Sequence, residues 1–384
     1  MRPSRRELLE VVLVAGAGAS FAELPSGAAP SRAAPPLEGF FAKVRELRAE
    51  FLARAAAWVR DDRLVRPDGF VYAVDVAQLM ACFADAADRE AYARLRAHAA
   101  QHFVIDNPSD PFTRGFVVWR RRPGDTAAPP DASGTTEALR LAKALWRGAR
   151  AFVAPAHREL ALTVLRGYAR HATVDHGVWM VRNYFGFGTR SFASNSFLVD
   201  YDPDFVQVAA AEANDADLLH VARQSYQLVR SAATPAGLLY DLVQPELKTM
   251  YPLLPDAVVT FSPNDIVQLS NACTVALTVT EGAPEVARRV LDFATRRFSG
   301  ASGPLRMYHY GRTGEAVNDT YPGINEWSTL VRLACQLRDR SAAARLLENA
   351  VAAWDYYLDR TPPEEVDAFV ASEALASMSA VLAL

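Results

Sequence analysis

Acids stand at the start of five apolar, helix-periodic runs. Asp75 follows "VYAV", Glu137 follows "SGTT", Asp202 and Asp204 flank Pro203 in "DYDPD", Asp265 ends "FSPND", and Glu326 ends "YPGINE". A side-chain oxygen at a helix start accepts first-turn N–H groups, proline suits the first turn, and a negative charge there gains about 0.3–1 kcal/mol from the helix dipole. Capping accounts for Asp202 before Pro203 and for Ser262 before Pro263. Asp204 and Asp265 are surplus to it, because a preceding residue already fills the cap. Carboxyl groups converging on one cavity repel one another, and that repulsion with partial burial holds a proton near neutral pH. Glycoside hydrolysis needs such a pairing: a protonated carboxyl beside the leaving oxygen and an ionised one facing water. The helix dipole favours the ionised form, so a first-turn acid makes a better base than donor unless neighbours or apolar walls raise its pKa.

Bringing these acids together requires helices that arrive in pairs. Apolar residues recur at three and four spacing over 37–59, 72–86, 88–103, 133–150, 155–172, 203–213, 216–232, 263–281, 283–298, 322–338, 341–358 and 364–383. Short turns such as "ADAADRE", "FVAPAHRE" and "EANDADL" separate partners, and five hairpins begin about every sixty residues. The first and last helices supply a sixth pair. Six hairpins closed into a ring, with the first helix of each pair lining the centre, fit this spacing; an open array is the alternative. The closing segment "FVASEALASMSAVLAL" is small and apolar and lacks the polar outer face of a terminal cap, which favours the ring.

Long loops rich in aromatics join the pairs, and such loops usually carry function. "GVWMV" and "GLLYDLV" within them have strand character. Trp119, Trp179, Tyr184, Phe185, Phe187, Tyr251, Tyr308, Tyr310 and Trp327 either stack on pyranose faces or pack the loops. Arg182 with Asn183, and Asn195 with Ser196, are candidate hydroxyl or carboxylate binders.

The chain of 384 residues is 51% apolar with a net charge of −3, 41 basic residues against 44 acidic, so it buries a large core and presents no phosphate-tracking surface for nucleic acid. Its three cysteines lie in apolar helical patterns and read as buried thiols, and its seven scattered histidines form no metal-ligand cluster, so neither metal nor cofactor is implied. At the N-terminus, Arg5 and Arg6 precede a short Gly/Ala-rich apolar stretch and small residues Ser20 and Ala22. Residues 1–22 thus read as a twin-arginine export signal, or else a retained anchor, and 23–36 as a proline-rich linker before a domain over 37–384. Periplasmic or secreted localisation follows, with no stable membrane insertion once the signal is removed.

Several stretches resemble family 8 glycoside hydrolases by order and spacing. "SGTTEALRLAKAL" resembles the helix after that family's Asp-rich motif, "NSFLVDYDPDFVQVAAAEANDADLLHVARQSYQLV" its Asn-Pro-Ser-Tyr segment, "TPAGLLYDLV" its Gly-Leu-Pro-Asp-Trp stretch, and "FSPNDIVQLSNACTVALTV" the helix that supplies the water-activating base. The resemblance runs from about residue 70 to the C-terminus. It implies an all-α (α/α)6 barrel, a few short strands, and endo-acting hydrolysis of a β-linked polysaccharide with inversion. It puts Asp265 at the base and Asp75 nearest the acid, although the family's Glu-Gly and Tyr-Gly pairs are absent. Glu137, Asp204 and Glu326 become sugar binders or pKa tuners, joined by Trp119, Tyr184, Asn195, Tyr251, Tyr308 and Trp327 as substrate contacts. A catalytically silent ring that binds exopolysaccharide during secretion, and a polysaccharide lyase or uronyl hydrolase of the same architecture, for which Tyr308, His309 and Tyr310 are the candidate proton abstractors, are the alternatives.

Overall fold

The computed structural model describes residues 37–60, 64–124, 130–243, 266–298, 305, 310–311, 313–317, 321–365 and 367–384. Among these are twelve α-helices: α1 Phe41–Arg60, α2 Ala73–Asp85, α3 Arg89–His102, α4 Thr135–Ala151, α5 Pro155–Ala169, α6 Pro203–Ala213, α7 Ala216–Ser231, α8 Leu269–Ala276, α9 Pro284–Phe298, α10 Ile324–Gln336, α11 Arg340–Arg360 and α12 Ala368–Leu382. None of the described helices is long and apolar enough to cross a membrane.

Four of the hairpins share one turn. Ala87, Val153, Asn214 and Arg338 each adopt positive φ, two positions before α3, α5, α7 and α11 respectively. Only Asn214 is a residue type that favours this left-handed region, so packing imposes it on the other three. In three of these turns the intervening residue caps the outer helix: Asp88 accepts from Ala91 N at 3.0 Å, Asp215 from Leu218 N at 3.2 Å, and Asp339 from Ala342 N at 2.9 Å, whereas Ala154 before α5 has no capping side chain.

Each odd-numbered helix packs outside an even-numbered partner, and α12 meets both α2 and α1. The ring therefore closes. Arg54 of α1 donates to the Thr361 and Leu358 carbonyls, and Trp58 Nε1 donates to the Pro363 carbonyl at 2.8 Å, fixing the seam. Going round the centre, α8 contacts α10, α10 contacts α12, and α2 contacts α4, while a 3-10 turn at Leu198–Asp200 touches both α4 and α8. Helix α6 starts lower in that slot, with its cap Asp202 bonded to Lys143, the ninth residue of α4. Inner helices are buried most of the way round; ten of the thirteen residues of α10 are buried. At about 1.5–3 kcal/mol for each large apolar side chain removed from water, this central layer supplies much of the driving force for closure.

One expectation needs correcting. The helix expected over 263–281 is the eight-residue α8, and Ile266–Val267 instead forms a strand antiparallel to Tyr310–Gly311. Its cap position is Gln268, and Ser262, read as the cap, lies outside the described residues. "GLLYDLV" does contain a short strand, Leu242–Val243, paired with Ser196–Phe197, and Leu239 bridges Ala233. "GVWMV" does form a strand, Val178–Val181, antiparallel to Ala172–Asp175. Cys82, Cys273 and Cys335 are all buried, and burial pushes the Cys82 and Cys335 thiols up to about 12.

Candidate active site

The starts of α2 and α4 hang from one extended segment. Ala73 N donates to the Trp119 carbonyl at 3.0 Å and Gly134 N to the Val117 carbonyl at 2.9 Å, while Tyr72 pairs with Arg120 and Ser133 bridges Val118. Residues 132–134 also pair with 184–186, which places Tyr184 opposite Gly134. Thr135 N and Oγ1 both donate to the Asn183 carbonyl, at 3.1 and 2.8 Å, so the first turn of α4 is satisfied by backbone rather than by a capping side chain.

Glu137, the third residue of α4, occupies the centre of this arrangement. Its carboxyl folds back over Gly134, where an added Cβ would fall on the carboxyl oxygen and lie 3.3 Å from Trp119 Cβ. A side chain at 134 would displace this carboxyl from its place. Burial pushes Glu137 up to about 7, assisted by the charges of Asp200 and Asp75 and opposed by Arg140. It nonetheless keeps part of its surface exposed, as a group that must meet a ligand requires.

Asp200 sits behind it, 1% exposed. It accepts from the Thr136 hydroxyl and from Phe197 N, and burial pushes it up to about 6 against those hydrogen bonds. Too enclosed to touch a substrate, Asp200 acts on Glu137 through its charge. The sequence reading passed over it in favour of Asp202 and Asp204; its one visible signal is the alternation of acids at 200, 202 and 204.

The other acids have structural partners. Asp75, 2% exposed, forms a two-pronged ion pair with Arg66, whose Nε and Nη2 lie 2.7 and 2.6 Å from its oxygens. Burial raises its pKa, the guanidinium opposes that, and both carboxylate oxygens are engaged by Arg66, so Asp75 is a poor proton donor. Asp204 accepts from Tyr226 Oη at 2.5 Å, Glu281 N at 2.9 Å and Gly282 N at 2.9 Å, which pins the α8–α9 turn rather than facing a sugar. Buried Glu326 turns back to accept from Gly323 N at 2.9 Å, and burial raises its pKa. Asp265 lies outside the described residues.

Among the aromatics, Trp119 and Tyr184 remain partly exposed beside Glu137, and Trp119 Nε1 donates to Asp131 at 2.8 Å. Arg120 stacks 4.0 Å from the Trp119 ring and Tyr72 meets its edge at 5.6 Å. Asn195 is half-buried, its carbonyl accepting from Asn183 N at 3.0 Å. Trp327 is buried against Phe298 at 5.6 Å, and Tyr310 against Phe293 at 4.8 Å, so both are packing residues. Phe185 likewise sits inside a cluster with Phe112, Phe116 and Phe192. Arg182 is engaged by Asp175 at 2.9 Å. Tyr251, Tyr308 and His309 lie outside the described residues.

The ring matches solved structures over most of its length. An α-amylase from Clostridium perfringens superposes with a TM-score of 0.64 at 13% identity, covering 81% of this chain and 87% of its own. A β-1,3-1,4-glucanase from Paenibacillus sp. X4 gives 0.61 at 12% identity, covering 86% and 92%. An endo-β-1,4-glucanase from Acetobacter xylinum gives 0.55 at 18% identity, covering 79% and 98%. The fold is an (α/α)6 barrel. It is the fold expected from the distant resemblance to family 8 glycoside hydrolases. No protein-family model matches the sequence, and no curated protein matches it.

Proposed function

We propose that this protein hydrolyses a β-linked glycan with Glu137 as the proton donor. One observation carries the reading: a partly exposed carboxyl at an inner-helix start, cradled over Gly134 beside Trp119 and held protonated to about pH 7 by burial and the Asp200 charge. Glu137 would give its proton to the leaving glycosidic oxygen while Trp119 and Tyr184 offer apolar faces to the flanking sugars. The resemblance assigns water activation to Asp265, and a base that activates water opposite the leaving group would make the outcome inverting; endo action is carried by the resemblance alone. Export through the twin-arginine signal would deliver it to the periplasm or beyond.

A second reading, a ring that binds glycan without cleaving it, draws support from the lock between Asp75 and Arg66 at the position where the resemblance puts the acid. The two readings separate when the mature protein is incubated with β-glucans, xylan, chitosan and acidic exopolysaccharides and new reducing ends are measured. Hydrolysis predicts their release. Binding alone predicts retention of the intact glycan and no new ends.

A further inference from the structure

Below the mouth the ring is hollow, and its lining carries charge that the proposed proton donor does not use. Arg140, Lys143 and Arg147 follow one another at spacings of three and four along α4, so they share one face, and Arg332 of α10 lines the same hollow with Gln78 of α2 and Glu373 of α12. Cations this deep are tolerated when each has its own carboxylate. Lys143 has Asp202 at 2.5 Å, and Arg147 has Asp85 at 2.8 Å. Arg140 and Arg332, however, share Glu373 at 3.5 and 3.3 Å. Both contacts are longer than a close charge-assisted bond of about 2.7–2.9 Å. Gln78 Nε2 already holds, at 2.7 Å, the same Glu373 oxygen that Arg140 approaches.

Among the described residues, four cations of the hollow thus pair with three carboxylates. The other pole of the Gln78 amide adds an independent sign. Its Oε1 is buried and accepts no hydrogen bond, in a residue 7% exposed. An acceptor left in this state costs about 1–3 kcal/mol unless a donor reaches it. The cationic side chains remain 16–32% exposed, so the hollow is open to a ligand. Spare guanidinium donors next to an acceptor lacking a hydroxyl define the chemistry of what fits: an anion and a hydroxyl on one molecule.

We propose that the hollow binds a carboxylate-bearing sugar, with the carboxylate between Arg140 and Arg332 and a hydroxyl donating to Gln78 Oε1, so that the glycan is a uronic-acid chain. That the carboxylate arrives on a sugar rests on the glycan-cleaving reading; the demand for an oxyanion does not. A neutral glucan would satisfy Gln78 and leave the surplus charge. Fork-shaped guanidinium recognition of a planar carboxylate distinguishes the two.

The test is calorimetric titration of the mature chain with β-1,4-linked oligoglucuronate, with a cello-oligosaccharide of equal length, and with inorganic phosphate. Oligoglucuronate is expected to bind at least tenfold more tightly than its neutral counterpart, with affinity falling as salt rises. Arg140→Gln is expected to abolish that preference. If Arg140→Gln does not fold, Arg140→Lys, which keeps the charge and loses the fork, is expected to remove most of it. Equal affinity for the two oligosaccharides, a preference that survives these substitutions, or phosphate binding tighter than oligoglucuronate would each overturn the proposal. Reducing ends measured on the same samples keep it separate from hydrolysis. Binding of oligoglucuronate without cleavage sinks hydrolysis alone, whereas cleavage of the cello-oligosaccharide without uronate preference sinks this inference alone.

Discussion

Glu137 and Asp75 are both first-turn acids, yet their surroundings give them opposite work. For Glu137 the ordinary value of 4.5 is raised to about 7, so the folded state binds a proton that the unfolded state has released over that interval. Its contribution to stability is fully present below about pH 4.5 and is lost as pH rises through about 7. Asp200, raised to about 6, acts in the same direction. Glu137→Gln, which mimics the protonated form, is therefore expected to melt higher than the wild type at pH 8 and to converge with it at pH 5. Melting curves at the two pH values check this, and a gap that widens on acidification would contradict the assigned environment. Asp75→Asn is expected to melt lower, through its partner rather than through its own titration, since burial raises the Asp75 pKa as well. It leaves Arg66 without its carboxylate, and because Arg66 is only 21% exposed the cost should be about 2–4 kcal/mol, just under the usual range for breaking a buried pair. Chemical denaturation measures that cost, and an unchanged midpoint would return Asp75 to the list of catalytic candidates.

At the scale of elements, the hairpin pattern was legible because helix periodicity and turn residues are local properties. "DYDPD" announced the start of α6, and Asp202 does cap it, accepting from Phe205 N at 3.2 Å. Asp204 was misjudged because its partners, Tyr226 and the backbone at 281–282, come from elements that sequence spacing does not bring together. Asp204→Ala removes three hydrogen bonds to one charged group and is expected to cost about 2–4 kcal/mol while leaving glycan turnover nearly intact. Turnover falling a hundredfold with unchanged melting would restore Asp204 to the site. The start of α8 was misplaced for a related reason. Capping residues in "FSPND" imitate a helix start, but pairing of Ile266–Val267 with Tyr310–Gly311 delays the helix to Leu269. Glu137 was seen at once but ranked as an accessory, since nothing in "SGTTEAL" reveals Asp200, sixty-three residues on, behind it.

For the whole molecule, ring closure is the property on which the mouth and the hollow both depend. Helix α12 was legible as an inner element from its small apolar residues, but the role of its only charged residue, Glu373, emerges only when α2, α4 and α10 converge on it. Deleting Ala368–Leu382 would expose the faces of α1, α2 and α10 that pack on α12, and the loss should exceed the roughly 5–15 kcal/mol available to a domain. The truncated chain is expected to be insoluble or molten by near-ultraviolet circular dichroism; a cooperative melt would mean that the ring is not the folding unit. The central claim is that this ring cleaves glycan through a protonated Glu137, and the pH profile of reducing-end release by wild type and Glu137→Gln tests it most directly. Activity is expected to fall as pH rises through about 7, where the donor loses its proton, and Glu137→Gln should lose about 10²–10⁴-fold with its fold intact. Wild-type release of reducing ends that Glu137→Gln matches across that range would contradict it.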